Sequence, residues 1–171
     1  FERNVAASGG IMTTGNFPGR ARNIDELRQD IDKATSLLAG PMRLNLHETY
    51  GDFGGALVDR DQCGPEHFQS WMEWAKERGM KLDFNSTSFS HPNSGTLSLS
   101  NPDKAVRDFW IEHTKRCRRI ADAMGAYQDD PCIMNIWVHD GSKDYTVEKY
   151  RYRQIFKESL DEIMKEDLPN M

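Results

Sequence analysis

Cysteine is scarce in this chain, and long apolar runs are missing altogether. Only Cys63, Cys117 and Cys132 are present, and no two of them form a CxxC pair. An odd number of unpaired cysteines argues against a disulfide framework and favours a reducing, cytoplasmic location. No apolar run approaches the roughly 20 residues that span a bilayer, and no secretory signal is visible. The first residue is Phe1 rather than Met, which predicts that further residues precede it.

An excess of positive charge is also missing. The chain has 27 acidic against 22 basic residues, a net charge of −5, whereas nucleic acids and anionic membranes are bound by basic faces. The densest basic run is Lys115-Arg116 with Arg118-Arg119, which we interpret as the solvated face of a helix. The sequence also has no GxGxxG or GxxxxGK[ST] phosphate loop, no catalytic-triad signature and no zinc or EF-hand spacing.

What the sequence does contain is an alternation of short apolar runs with amphipathic stretches. Polar N-cap residues and first-turn prolines predict where helices begin, and glycines predict where they end. The predicted strands are 10–13, 42–47, 80–85 and 132–138, and the predicted helices are 23–39, 64–79, 101–125 and 147–166. The last strand is nearly continuous in apolar residues, which predicts cover on both of its faces.

This alternation predicts an α/β fold with parallel strands and helical crossovers. Long loops follow the strands and short ones precede them, as in a (β/α)8 barrel, whose site lies at the carboxyl ends of the strands. A complete barrel needs about 250 residues, so residues 1–171 are interpreted as one partial barrel domain of about four β/α units. A small doubly wound sheet also fits this length, although the phosphate loop typical of such sheets is missing.

Polar and aromatic side chains stand at the predicted strand ends. His47, Asn85 and Trp137 each end a strand, and Asp140 follows the last one. Imidazole, amide and carboxylate groups bind hydroxyls and an indole stacks on C–H groups, so this set suits a polyol. Each residue also has a plainer interpretation: a structural histidine, a core tryptophan, or a turn at Asp140.

The other histidines give weaker signals. His113 lies on the apolar stripe of its helix and is interpreted as a core residue, whereas His91 lies in a loop from which it could reach the site. The cluster of His139, Asp140 and Asp144 matches no metal motif.

Several long strings resemble the L-rhamnose isomerase family, in order and at matching spacing over essentially the whole chain. The strings are 9–23 (GGIMTTGNFPGRARN), 43–47 (RLNLH), 65–68 (PEHF), 82–85 (LDFN), 89–92 (FSHP) and 134–137 (MNIW), with Asp140-Gly141 and Lys143-Asp144. Several unusual strings in register are far more specific than a single short motif.

The resemblance implies a metal-dependent aldose–ketose isomerase on a (β/α)8 barrel. Such an enzyme interconverts L-rhamnose and L-rhamnulose as a cytoplasmic homotetramer and commonly uses Mn²⁺ to polarise the sugar oxygens while hydrogen moves between C1 and C2. The resemblance places His47, Trp137 and Phe89 at the sugar pocket. Asn85, Asp140 and Lys143 are further candidates for binding the substrate.

The resemblance places no catalytic residue and no metal ligand within this chain. The family's metal ligands lie on strands after the last helix found here and are expected C-terminal to Met171. The chain therefore represents the sugar-cradling part of an intact isomerase and is expected to be inactive alone. Two alternatives remain: a non-catalytic half-barrel that associates with another chain, and a related sugar isomerase with a different substrate.

Overall fold

A computed structural model describes residues 18–89, 91–140 and 147–171. The helices are α1 (Ile24–Thr35), α2 (Gln69–Glu77), α3 (Lys104–Gln128) and α4 (Lys149–Ile163), and the strands are β1 (Arg43–His47), β2 (Lys81–Thr87) and β3 (Met134–Trp137). Within the described ranges the strands form one parallel sheet in the order β1-β2-β3. The predicted α/β class with parallel strands is confirmed, whereas the first predicted strand, 10–13, lies outside the described residues.

The two faces of the sheet differ in chemistry because side chains alternate along a strand. Leu46 and Phe84 are in register on one face and are almost fully buried, together with Leu82, in the core beneath α2 and α3. A second cluster, centred on Trp110 and Ile163, joins α3 to α4. The opposite face carries the polar residues of the strands.

Local signals set most helix boundaries as predicted. The Asn23 side chain accepts a hydrogen bond from the Glu26 amide at 2.8 Å, and Gly79 closes α2 in the left-handed region with φ 63°. The stripe of α2 is buried as predicted; it consists of Phe68, Trp71, Met72 and Ala75. None of the helices within the described ranges combines the length and apolar character that a bilayer crossing requires.

Several helix ends differ from prediction, and two of these differences change the packing. Helix α1 stops at Thr35, so Leu38 leaves the apolar face and is 65% exposed. Helix α3 passes through Gly125 and ends at Gln128, with Asp129 in the left-handed region at φ 50°. Gly125 is instead a packing position: a Cβ there would lie 1.8 Å from the Asn170 carbonyl oxygen, so only glycine lets the carboxyl-terminal segment approach α3.

The strands differ from prediction at the site end of the sheet. Strand β2 includes Ser86 and Thr87, predicted as loop, because they pair with Ile136 and Trp137 of β3; tertiary pairing overrides weak strand propensity here. Strand β3 is an edge strand rather than one covered on both faces. Ile133 is 61% and Trp137 50% exposed, since none of the helices in the described ranges covers that face.

The basic run of α3 is not the solvated face that its charge suggests. Arg118 is buried and donates to the carbonyl oxygens of Ile163 at 2.6 Å and Glu166 at 3.0 Å. Lys115 and Arg119 form ion pairs with Glu162 and Glu166; these distances are 2.7 and 3.0 Å. Lys115, Arg118 and Arg119 therefore dock the carboxyl-terminal end of α4, whereas Arg116 pairs with Glu112 within α3.

Candidate functional site

A row of polar side chains crosses the three strands on the uncovered face. His47 is in register with Asn85, and Asn85 with Asn135. The Asn135 amide donates to Asn85 Oδ1 at 2.9 Å, and Asn85 Nδ2 lies 3.2 Å from His47 Nε2. Parallel pairing thus joins three separate segments into one hydrogen-bonded row.

The next layer, two residues further along β2 and β3, adds Thr87 and Trp137. These two are also in register. Thr87 Oγ1 lies 3.0 Å from His47 Nδ1, and the His47 and Trp137 rings are 5.7 Å apart, tilted by 54°. The structure therefore brings together His47, Asn85 and Trp137, which the strand-end pattern selected.

Aromatic side chains flank this row. Phe89 meets Trp137 edge to face at 5.0 Å, and Tyr50 meets His47 in the same way at 5.7 Å. Half of Trp137 remains exposed, so its indole offers an apolar surface beside imidazole and amide groups. That combination can stack on the C–H groups of a polyol while binding its hydroxyls.

Both carboxylate oxygens of Asp140 accept hydrogen bonds from the loop that Asp140 faces. Its two carboxylate oxygens accept from the backbone and hydroxyl groups of Ser98 and Ser100 at 2.5 to 2.8 Å. These contacts favour a role in holding the serine-rich loop, and contact with a ligand stays a prediction. Lys143 and Asp144 lie outside the described residues.

Both ring nitrogens of His91 likewise have partners in the surrounding structure. It accepts from the Asn93 amide through Nδ1 and faces Asp59 through Nε2, both at 3.0 Å, while its ring stacks on Phe109 at 4.8 Å. Since both ring nitrogens have partners, the contacts favour a structural role over the predicted reach into the site.

Replacing Asp140 by alanine is expected to lower the free energy of unfolding by about 2–3 kcal/mol, because four donors on buried Ser98 and Ser100 lose their acceptor. Urea unfolding of the two proteins measures this difference. The control is Asp161→Ala, which removes an exposed pair with Lys157 and should cost less than about 0.5 kcal/mol. Equal effects of the two changes would contradict the loop-holding role.

A buried ion pair beneath the site was not foreseen from the sequence. Glu48, directly after β1, is 2% exposed, and its Oε1 lies 3.6 Å from Nη1 of Arg60, which is also buried. The same Arg60 nitrogen donates to the carbonyl oxygens of Thr87 and Phe89 at 2.6 Å each. Arg60 thereby fixes the chain where it leaves β2. No periodicity or motif in the sequence marks Arg60 as part of a site. The sequence signal for the pair is that Glu48 directly follows His47.

Burial dominates the electrostatics of this layer. It raises the pKa of Glu48 to about 7, although Arg60 and the nearby Thr87 oppose the change. Within the described residues, no donor is placed to form a hydrogen bond of normal distance and angle with either carboxylate oxygen of Glu48. Burial lowers the pKa of His47 and lowers that of the core residue His113 to about 3, so both imidazoles are neutral at neutral pH. The predicted core position of His113 is confirmed.

Glu48→Gln is expected to steepen the loss of stability in acid. As pH rises from 4.5 to 7, the unfolded chain releases the Glu48 proton before the folded chain does, so this group lowers stability by up to about 1.4 kcal/mol per pH unit. His113 acts in the opposite sense, because its stabilising contribution is present above pH 6.5 and is lost as pH falls towards 3. Between pH 4.5 and 6.5 the Glu48 contribution lowers the free energy of unfolding as pH rises, whereas the His113 contribution raises it. Glu48→Gln removes only the Glu48 contribution.

Urea unfolding across this pH range measures the change in slope. The matched control is Glu73→Gln, on the exposed surface of α2, which should reproduce the parent profile. A Glu48→Gln profile that is parallel to the parent would contradict the buried, proton-binding role.

The described residues do not assemble a metal centre. Among them, no three or more His, Cys, Asp or Glu side chains group in a way that could hold a metal ion. Within the suggested cluster, His139 Nε2 lies 3.3 Å from the Gly95 carbonyl oxygen and the Asp140 carboxylate is taken by serines. The donor set present here therefore does not fit a divalent ion.

Comparison with known proteins gives one consistent result. The family model described as L-rhamnose isomerase matches residues 1–171. The chain is 68% identical over 166 residues to L-rhamnose isomerase of Bacteroides thetaiotaomicron, covering 97% of this chain and 40% of that protein. It is 52% identical over 169 residues to L-rhamnose isomerase of Mannheimia succiniciproducens, covering 98% and 40% of the two chains. The matching figures for L-rhamnose isomerase of Rhodopirellula baltica are 48% over 171 residues, 99% and 40%. The chain thus spans about 40% of the length of the curated relatives it matches.

Proposed function

Because the chain belongs to the L-rhamnose isomerase family, we propose that it supplies part of the sugar pocket of an enzyme that interconverts L-rhamnose and L-rhamnulose. The observation that carries this proposal is the row of His47, Asn85 and Asn135 beside the half-exposed indole of Trp137. The polar groups are placed to bind sugar hydroxyls, and the indole is placed to stack on the C–H face.

The residues of this chain bind and orient the sugar. Neutral His47 and the Asn85 amide hydrogen-bond to hydroxyls, while Phe89 holds the Trp137 ring at a fixed angle. Positioning of this kind lowers the entropy cost of reaching the reacting geometry. The hydrogen transfer between C1 and C2 is not assigned to any of these side chains.

The cofactor that we propose for the complete enzyme is a divalent metal such as Mn²⁺, which when bound polarises the sugar oxygens. Since no three suitable side chains group among the described residues, we propose that its ligands come mainly from outside them. The binding and orientation of the sugar by the side chains of this chain do not involve the metal.

We further propose a partial (β/α)8 barrel, a homotetramer and a cytoplasmic location. The parallel sheet, with helices on one face and polar residues on the other, supports the barrel. The three buried free thiols support a reducing compartment. The exposed Ile133 on edge strand β3 favours a second candidate, a non-catalytic half-barrel that pairs with another chain. Light scattering separates these, since a stable monomer of the chain contradicts the second candidate.

A chimaera tests the proposed function. These residues replace the matching segment of the Bacteroides thetaiotaomicron relative, and L-rhamnose turnover is assayed with Mn²⁺ beside other aldoses and phosphorylated sugars. We expect kcat/KM for L-rhamnose within about tenfold of the parent enzyme, and no turnover by the 171-residue chain alone. A chimaera that is folded by circular dichroism but inactive on L-rhamnose contradicts the proposal, and preference for another sugar favours the related-isomerase alternative.

A further inference from the structure

The two ring nitrogens of His47 face partners of different character. Nδ1 lies 3.0 Å from the Thr87 hydroxyl oxygen, and Nε2 lies 3.2 Å from the side-chain nitrogen of Asn85. A neutral imidazole has one N–H donor and one acceptor, and the hydrogen bonds around it decide which nitrogen carries the proton. The direction of this hydrogen-bond chain therefore sets the tautomer that His47 presents to the pocket.

The first end of the chain fixes the proton-donating side. Asn135 donates to Asn85 Oδ1 at 2.9 Å, which leaves the Asn85 amide nitrogen facing His47. An amide nitrogen has only protons to offer, so His47 Nε2 must be the acceptor.

The second end agrees with this direction. The Thr87 hydroxyl oxygen lies 3.0 Å from His47 Nδ1 and can accept a proton from it. Because Nε2 accepts from Asn85, the proton of the neutral imidazole is on Nδ1, which donates it to Thr87 Oγ1.

We propose that Thr87 is a positioning residue that holds His47 as its Nδ1–H tautomer, with Nε2 as a hydrogen-bond acceptor on the sugar-facing row. The sugar-facing part rests on the proposed function. A sugar hydroxyl that replaces the Asn85 amide at Nε2 must donate its proton, so the pocket selects for a free hydroxyl at that position and against an O-methyl or deoxy group. Thr87 acts through His47 and needs no contact with the sugar.

Solid-state ¹⁵N NMR on ¹⁵N-histidine-labelled protein tests the tautomer directly. It is recorded on the full chain and on the chimaera, and His47→Asn identifies the His47 signals. We expect a protonated Nδ1 and a bare Nε2. Thr87→Val removes the acceptor of the Nδ1 proton at nearly constant volume. It should move the proton to Nε2, with the Asn85 amide turned so that its oxygen accepts from Nε2, and Thr87→Ser should restore the parent spectrum. The matched control is Thr114→Val, because the hydroxyl of buried Thr114 donates to the Trp110 carbonyl within α3, away from His47. A protonated Nε2 in the parent, or a His47 signal unchanged in Thr87→Val, overturns the proposal.

Kinetics of the chimaera test the consequence for the sugar. Thr87→Val should raise KM for L-rhamnose roughly tenfold with kcat within about twofold, as expected for lost ground-state binding, and Thr87→Ser should recover the parent values. A changed tautomer with unchanged KM overturns the sugar-facing half of the proposal. An inactive chimaera with the expected spectra counts against the proposed function alone and leaves the role of Thr87 supported.

Discussion

Replacing Arg60 by methionine is expected to lower the free energy of unfolding by about 3–5 kcal/mol. Methionine keeps most of the side-chain length but leaves Glu48 without the positive charge 3.6 Å from its Oε1. It also removes the donor shared by the Thr87 and Phe89 carbonyl oxygens. Because all of these groups meet at the exit of β2, the lost interactions cannot be replaced by water without opening the core.

Urea unfolding of four proteins separates the charge effect from the packing effect. The double variant Arg60→Met/Glu48→Gln should regain about 1–3 kcal/mol relative to Arg60→Met, because the orphaned carboxylate is gone. The control is Arg116→Met, which removes a partly exposed pair with Glu112 within α3 and should cost less than about 1 kcal/mol. If Arg60→Met costs no more than this control, the ion pair does not support the site.

The features that the sequence predicts well are those determined by near neighbours. The Asn23 cap, the Gly79 stop and the buried stripe of α2 each depend on residues within one or two helical turns. The alternation of polar and apolar residues in β1 also places His47 on the polar face. These choices are local, and the tertiary fold leaves them unchanged.

Long-range pairing decides the features that the sequence does not predict. Thr87 belongs to a serine-rich stretch with weak strand propensity and becomes a strand residue only because β3 pairs with it. Arg118 has the composition of a surface residue, yet the end of α4 buries it. Glu48 and Arg60 lie 12 positions apart in two separate short 3-10 helices, and only the folded chain brings them together.

The candidate site divides in the same way. The ends of strands can be predicted from the sequence, so His47, Asn85 and Trp137 could be selected before their register was known. Asn135 could not, since a polar residue inside an apolar run gives no sign of which strand it will face. For Asp140 the sequence predicts ligand contact, because a carboxylate follows a strand; the sequence does not show that two serines on another loop donate to both of its oxygens.

Replacing Trp137 by alanine is expected to reduce kcat/KM for L-rhamnose in the chimaera by about 100-fold, equivalent to about 2.7 kcal/mol of binding to the transition state. The indole is half exposed and lies 5.0 Å from Phe89 and 5.7 Å from His47, so its free surface is available to a sugar and its loss also releases both neighbours. The same exposure means that little buried apolar area is lost. The free energy of unfolding should therefore fall by less than about 1.5 kcal/mol.

This combination of a large kinetic effect with a small stability effect distinguishes a ligand-facing tryptophan from a core tryptophan, whose truncation costs about 3–5 kcal/mol of stability. Trp137→Phe keeps an aromatic face and should recover most of the activity, since stacking on C–H groups needs a ring rather than the indole N–H. Tyr150→Ala, at an 80% exposed aromatic on α4, is the matched control and should leave both quantities near the parent values. Steady-state kinetics and urea unfolding on the same preparations measure both effects. Two outcomes would contradict the proposed contact between the indole and the sugar: a Trp137→Ala enzyme with parental kcat/KM, or one that loses stability in proportion to activity.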